Sequence, residues 1–333
     1  MKTFFILGAG ANVDIGMPTG LHLKSTICSL FETREPLFKA KISCIGTSAS
    51  DFQLYLNTLY RRNNYISEIT NAGTAIINGL PLELSIDDFL YKHFDNKYLV
   101  SCGKLSIVFA ILNYERNSKM YTDSYVFPIN NINTSWYIQL YQKIAGGCKL
   151  STLIKRLEEI TFIIFNYDRC FERFFCNAIM INYCISYQEA QEIVNGMNIF
   201  HPYGNLGSCK FGATVNHDEL IEVSNNIKIY TEKPDEKTEL LYRYFAFNKN
   251  PYNVIFLGFA YHNQNMKILF KEKNDNTVIK HLYGTGLGIS DNDIKYLENY
   301  WSSSIGGLTY FKILDMDCLR FFKELQYTLS FTD

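Results

Sequence analysis

The stretch Lys2–Gly20, KTFFILGAGANVDIGMPTG, constrains this chain more than any other. Thr3–Leu7 is a short apolar run rich in Phe and Ile, and Gly8-Ala9-Gly10 follows at once. A buried strand that ends in a glycine turn and feeds a helix reads this way. Glycine serves where a backbone turns tightly or lets a ligand come close. Gly16 and Pro18 come next, and Pro18 suits the first turn of a helix, where its missing N–H is not needed. The expected helix runs over about Thr19–Phe31. Its free N–H groups and positive dipole end would face the mouth of the turn, an anion site suited to a pyrophosphate. The spacing Gly8, Gly10, Gly16 is not G-x-G-x-x-G, so a plain tight turn stays open as the other reading. A signal peptide, with Lys2 before a short apolar segment and small residues, is a third outline, and Asp14 follows it closely.

Composition narrows the class. The 333 residues are 47% hydrophobic and 20% charged, ordinary for a globular chain with a large core. Length allows one large domain or two modest ones. The formal net charge of -1 gives no basic field to draw nucleic acid or anionic lipid. No apolar run approaches the roughly 18–20 residues that span a bilayer. Neither nucleic acid nor a membrane is expected as a partner. Nine cysteines without a C-x-x-C pair argue against a zinc ribbon and against a disulfide framework. Reduced thiols in a cytoplasmic protein with no bound metal are the simplest reading. The 24 Tyr and 25 Phe read as core filling.

Further along, residues 33–79 have an irregular, mostly helical texture. Ser85-Ile86-Asp87-Asp88 has the form of a capping box with Asp for Glu, opening a short helix through Tyr91. Lys104–Arg116 reads as an amphipathic helix, Tyr121–Thr134 as a loop, and Ser135–Ala145 as a helix stopped by Gly146-Gly147. Strands are expected at Ile160–Phe165, Asn198–Phe200, Asn226–Tyr230, Val254–Leu257, Ile279–Tyr283 and Leu308–Leu314. Helices are expected over about Asp168–Ile179, Gln188–Val194, Asp235–Phe247 and Cys318–Thr328. Apolar strands alternating with helices mean a parallel sheet covered on both faces. The expected architecture is therefore α/β: one Rossmann-like domain over 1–333, with a mainly helical insertion over 33–148.

In such sheets ligands sit beyond the carboxyl ends of the strands. Four stretches carry polar or glycine residues there: Gly8–Asn12, Asn166-Tyr167-Asp168, His201-Pro202-Tyr203-Gly204, and Gly258 with Phe259. Asn166 and Asp168 read either as helix caps or as ligand contacts, Asn166 on a ribose hydroxyl or a water and Asp168 on an amide. His201 precedes Pro202, which holds it extended at a strand's end. It reads as a satisfied structural histidine, or as a general base or ribose holder. His22, His93, His217, His262 and His281 lack such a context and read as surface or helix residues. Tyr283–Gly288, YGTGLG, reads as a plain loop or as packing near an adenosine. Cys170 and Cys176 sit in an apolar helix and read as core.

Taken in order, these stretches resemble the sirtuin-like family, and more closely its bacterial antiphage-defence branch than the protein deacylases. Gly8-Ala9-Gly10-Ala11-Asn12 and Gly16-Met17-Pro18 stand where the family has Gly-Ala-Gly, a small residue, Ser, and Gly-Ile-Pro. Asn166-Tyr167-Asp168 matches the branch's Asn-Tyr-Asp, and His201-Pro202-Tyr203-Gly204 fits the His before a glycine turn. Ile255–Gly258 and Ser85–Leu90 also resemble family segments. Asn12 replaces the usual Ser, Thr19-Gly20-Leu21 replaces Asp-Phe-Arg, and the four-cysteine zinc ribbon is missing. The resemblance implies an NAD hydrolase that cleaves the nicotinamide–ribose bond and drains NAD during phage attack. It implies catalytic roles for Asn166, His201 and Asp168. NAD would be held by Gly8, Ala9, Gly10, Ala11, Asn12, Gly16, Pro18, Thr19, Tyr167, Gly204, Gly258, Phe259 and Gly284. A homo-oligomer, or an activating partner in trans such as a defence ATPase, is expected. The rival readings are a non-catalytic NAD or ADP-ribose sensor, a structural subunit of a defence complex, and a deacylase or ADP-ribosyl transferase.

Overall fold

Three segments, TFFIL, ITFII and YNVIFL, carry apolar side chains at nearly every position, so neither face of a strand made from them tolerates water. In a computed structural model of the chain they form the middle of one sheet. The structure describes residues 2–32, 48–61, 65–124, 126–229, 239, 252–270, 279–305, 308 and 310–325. The strands are β1 (Thr3–Leu7), β2 (Ile160–Ile164), β3 (Asn198–Phe200), β4 (Tyr252–Leu257), β5 (Ile279–Thr285) and β6 (Phe311–Leu314). Their order is β3-β2-β1-β4-β5-β6, all parallel. This is the Rossmann-like α/β sheet expected, flanked by helices. The winding reverses between β1 and β4, the place where open sheets of this order leave a crevice. Leu7 is level with both Ile164 and Leu257, so the loops after β1, β2 and β4 leave one edge together.

Between β1 and β2 the described chain is helical. It contains α1 (Gly20–Glu32), α2 (Ala49–Arg61), α3 (Ile66–Gly79), α4 (Ile86–Lys92), α5 (Lys97–Asn117), α6 (Trp136–Ala145) and α7 (Leu150–Glu158). Ser85 caps α4: its Oγ accepts from Asp88 N–H at 3.0 Å and donates to Asp88 Oδ2 at 2.8 Å. The central α5 is not amphipathic. It is buried nearly all round, against α1, α3 and α10 (His217–Asn225), because it is the inner helix of this bundle. Its Glu115 is fully buried and pairs with Arg169 Nη2 at 2.5 Å, while Oε1 also takes Arg169 N–H at 3.2 Å. That ion pair fastens the helical bundle to the loop after β2.

The remaining helices are α8 (Cys170–Tyr183), α9 (Tyr187–Asn195), α11 (Asn263–Leu269), α12 (Asp291–Ser304) and α13 (Cys318–Glu324). Phe5, Phe162, Phe171 and Phe175 pack ring to ring at 4.4–5.8 Å between sheet and helix, and Cys170 and Cys176 are buried among them. Two expectations change. A 3-10 helix over Ala9–Ile15 separates the glycine turn from α1, ended by Gly16 at φ 96°, so Pro18 lies just outside the helix and Thr19 caps it. Residues 227–229 form no ladder, because Lys228 N–H donates to the Tyr203 carbonyl of a loop instead. The helix expected over 235–247 lies outside the described residues apart from Glu239, as does Tyr230.

Candidate functional site

A cavity of about 860 Å³ opens over the carboxyl ends of the strands. Its size is within the range of small-molecule and cofactor sites. Its lining comes from Gly8–Ala11, Pro18–Gly20, Asp87, Trp136, Phe165–Asp168, Tyr203, Gly258–Ala260, His262, Thr285–Leu287 and Met316–Leu319, among others. Loops separated by up to three hundred residues of sequence thus meet at one edge.

The glycines earn their place by contact between backbones. Gly8 N–H donates to Leu257 O at 3.0 Å and Gly10 N–H to Gly258 O at 2.9 Å. A Cβ on Gly8 would lie 2.5 Å from Gly258 O and 2.7 Å from Phe259 Cα. Gly258 itself has φ 57°. The first glycine turn is therefore a clasp between β1 and β4, and its N–H groups are largely used within the protein. The open donors for an anion are those at the start of α1, beside Pro18, Thr19 and Gly20. Gly16, Gly204 and Gly284 do not line the cavity. Gly204, at φ 73°, turns the chain against the Asn226 carbonyl, and Gly284 leaves room for the Tyr261 hydroxyl.

Asn12 also stands behind the wall. Its Nδ2 donates to Asp168 Oδ1 at 2.8 Å, and its Oδ1 accepts from Tyr137 Oη at 2.7 Å. Asp168 Oδ1 accepts in addition from Cys170 N–H at 3.1 Å, an Asx turn that starts α8. Burial pushes the Asp168 carboxyl pKa up, against these hydrogen bonds. Asp168 lines the cavity while serving as the local cap, so both readings of this residue meet in one side chain.

Asn166 differs from its neighbours. It is 6% exposed, it lines the cavity, and neither its Nδ2 nor its Oδ1 has a hydrogen-bond partner. A buried amide left unpaired costs about 1–3 kcal/mol per group. A ligand or a bound water in the cavity is what such an amide is placed to meet.

His201 is beside Asn166 and is not among the residues that line the cavity. Its Nδ1 lies 3.1 Å from the Asn166 carbonyl and its Nε2 lies 2.8 Å from Glu172 Oε1. Burial works against the charged ring, but the Glu172 carboxylate outweighs it and raises the His201 pKa. Both ring nitrogens are thus engaged by acceptors, and the contact with Glu172 favours the protonated ring. Glu172, on α8 and 29 residues away in sequence, gave no signal of this pairing. The ring holds the backbone of Asn166 and thereby its amide.

Two further groups face the cavity. Asp87, from the start of α4, accepts the Tyr167 hydroxyl. Burial raises its pKa to about 6, with the Tyr167 hydrogen bond opposing. His262, four residues beyond Gly258 and expected to be a surface or helix residue, lines the cavity; its place in a loop after a strand at this edge is the available signal. Carboxyl groups at Asp14, Asp87, Asp168 and Asp317 line the cavity, and among the described lining residues there is no Lys or Arg. Among the described residues no group of three His, Cys, Asp or Glu side chains is placed to hold a metal ion.

No protein-family model matches the chain, and no curated protein matches it.

Proposed function

We propose that the chain hydrolyses NAD at its nicotinamide–ribose bond, releasing nicotinamide and ADP-ribose. The observation that carries this reading is the unpaired, buried amide of Asn166 facing the cavity at the reversal of the sheet's winding. The resemblance of Gly8–Asn12, Asn166–Asp168 and His201–Gly204 to sirtuin-like segments of the antiphage-defence branch supports the choice of NAD. Breaking the bond builds positive charge at C1′, as in other glycosyl transfers. Asn166 binds the ribose and positions a water. Asp168 and Asp87 stabilise the developing cation through space. The start of α1 holds the pyrophosphate, and Phe259 packs against the ligand. His201 and Glu172 hold Asn166 in place. Loss of nicotinamide release in Asn166→Ala, with the fold kept by circular dichroism, tests the reading; an unchanged rate contradicts it.

The expected physiological role is NAD depletion in antiphage defence, switched on by self-assembly or by a partner protein in trans. A monomer on gel filtration with full constitutive activity contradicts that control. A second reading, an NAD or ADP-ribose sensor without turnover, is favoured by the engaged ring of His201. Tight NAD binding with no nicotinamide release under any condition supports it.

A further inference from the structure

Both ring nitrogens of His201 are engaged by the protein, so the hydrolase reading needs another group to take the proton of the attacking water. Among the described residues that line the cavity, His262 is the one imidazole. Its ring makes no hydrogen bond with the described residues. It stands on the loop after β4, next in the sheet to the loop after β1 and one further from Asn166. The preceding residue, Tyr261, adopts φ 55°, a left-handed conformation that bulky residues rarely take. The Tyr261 hydroxyl donates to the Thr285 carbonyl at 3.0 Å, which fixes that turn. On the other side Asn265 Oδ1 accepts from Tyr203 Oη at 2.7 Å. The loop is anchored on both sides, and His262 between those anchors lines the cavity.

We propose that His262 is the general base of this site. The inference rests on the hydrolase reading above. Water oxygen bonds to ribose C1′ as the C1′–N bond to nicotinamide breaks. The bonding pair returns to the pyridinium ring and neutralises it. The water proton passes to a His262 ring nitrogen and then to solvent, so NAD and water give nicotinamide, ADP-ribose and one proton. His262 must be neutral to act. Burial lowers its pKa; Asp88 on α4 opposes this and Lys24 on α1 adds to it. At neutral pH the ring is a base in waiting.

The test compares the full chain with His262→Gln and His201→Gln, reading nicotinamide release against pH and NAD affinity by calorimetry. His262→Gln should lower kcat by roughly 10²–10⁴-fold with little change in affinity, and the acid-side fall that remains should be the one Asp87 gives, absent from a His262→Gln, Asp87→Asn double variant. His201→Gln should keep the His262 part of the acid limb. Retention of the wild-type rate in His262→Gln overturns the assignment while leaving the hydrolase reading intact. An unaltered protein that leaves NAD whole overturns the hydrolase reading, and the base with it. A readout independent of turnover uses carbon-13-labelled histidine. Added ADP-ribose should move the signal that is missing from His262→Gln spectra, and an unmoved signal overturns the proposal.

Discussion

The amide of Asn166 makes no hydrogen bond to the protein, so removing it should not harm the fold. Asn166→Leu should leave the melting temperature unchanged or raised while abolishing nicotinamide release; calorimetry with an activity assay checks both. His201 and Glu172 give a signed pH dependence. The His201 pKa is raised from 6.5, so its contribution is complete below that value and lost as pH rises through the folded pKa. Burial alone would raise the Glu172 pKa, but His201 lowers it below 4.5; that contribution is complete above 4.5 and lost as pH falls through the folded pKa. The pair therefore contributes most between those two values. Glu172→Gln should destabilise more at pH about 5.5 than at pH about 9, by roughly 1–3 kcal/mol at the lower pH. Urea titrations at both pH values measure it. Sequence marked 201 as a residue of the site but could not show that its ring is tied to Glu172. It passed over His262, whose neighbours form no motif.

The apolar strands were legible as elements because burial on both faces leaves no ambiguity of pattern, and β1 falls at the residues expected of it. The inner helix α5 was read as amphipathic, since nothing local says that a helix will be surrounded by others. The 3-10 turn over Ala9–Ile15 was missed because its hydrogen bonds depend on Gly16 and on packing against residue 118. The glycine clasp was legible as a turn but not as a contact with β4. Gly8→Ala should cost about 1–3 kcal/mol or more, because the added Cβ meets backbone that cannot rotate away. Glu115→Gln leaves Arg169 buried without its counter-charge, and should cost about 3–5 kcal/mol and loosen α5 from the loop after β2. Hydrogen exchange at residues 165–170 would report that loosening.

At the scale of the molecule, the sheet order sets the place of chemistry before any side chain does. Loops after β1, β2 and β4 leave one edge at one level, and the α4 end of the helical bundle reaches the same cavity through Asp87. No helix among the described residues is long and apolar enough to cross a membrane. Ligand held at this junction links β1, β4 and the bundle, so NAD at about 100 times its Kd should stabilise the fold by about 2.7 kcal/mol, read as a rise in Tm. The most direct measurement is chromatography of NAD incubated with the full chain and, in parallel, with Asn166→Ala. The account predicts equal amounts of nicotinamide and ADP-ribose from the former and intact NAD from the latter. Intact NAD in both, or equal release by both, would contradict it.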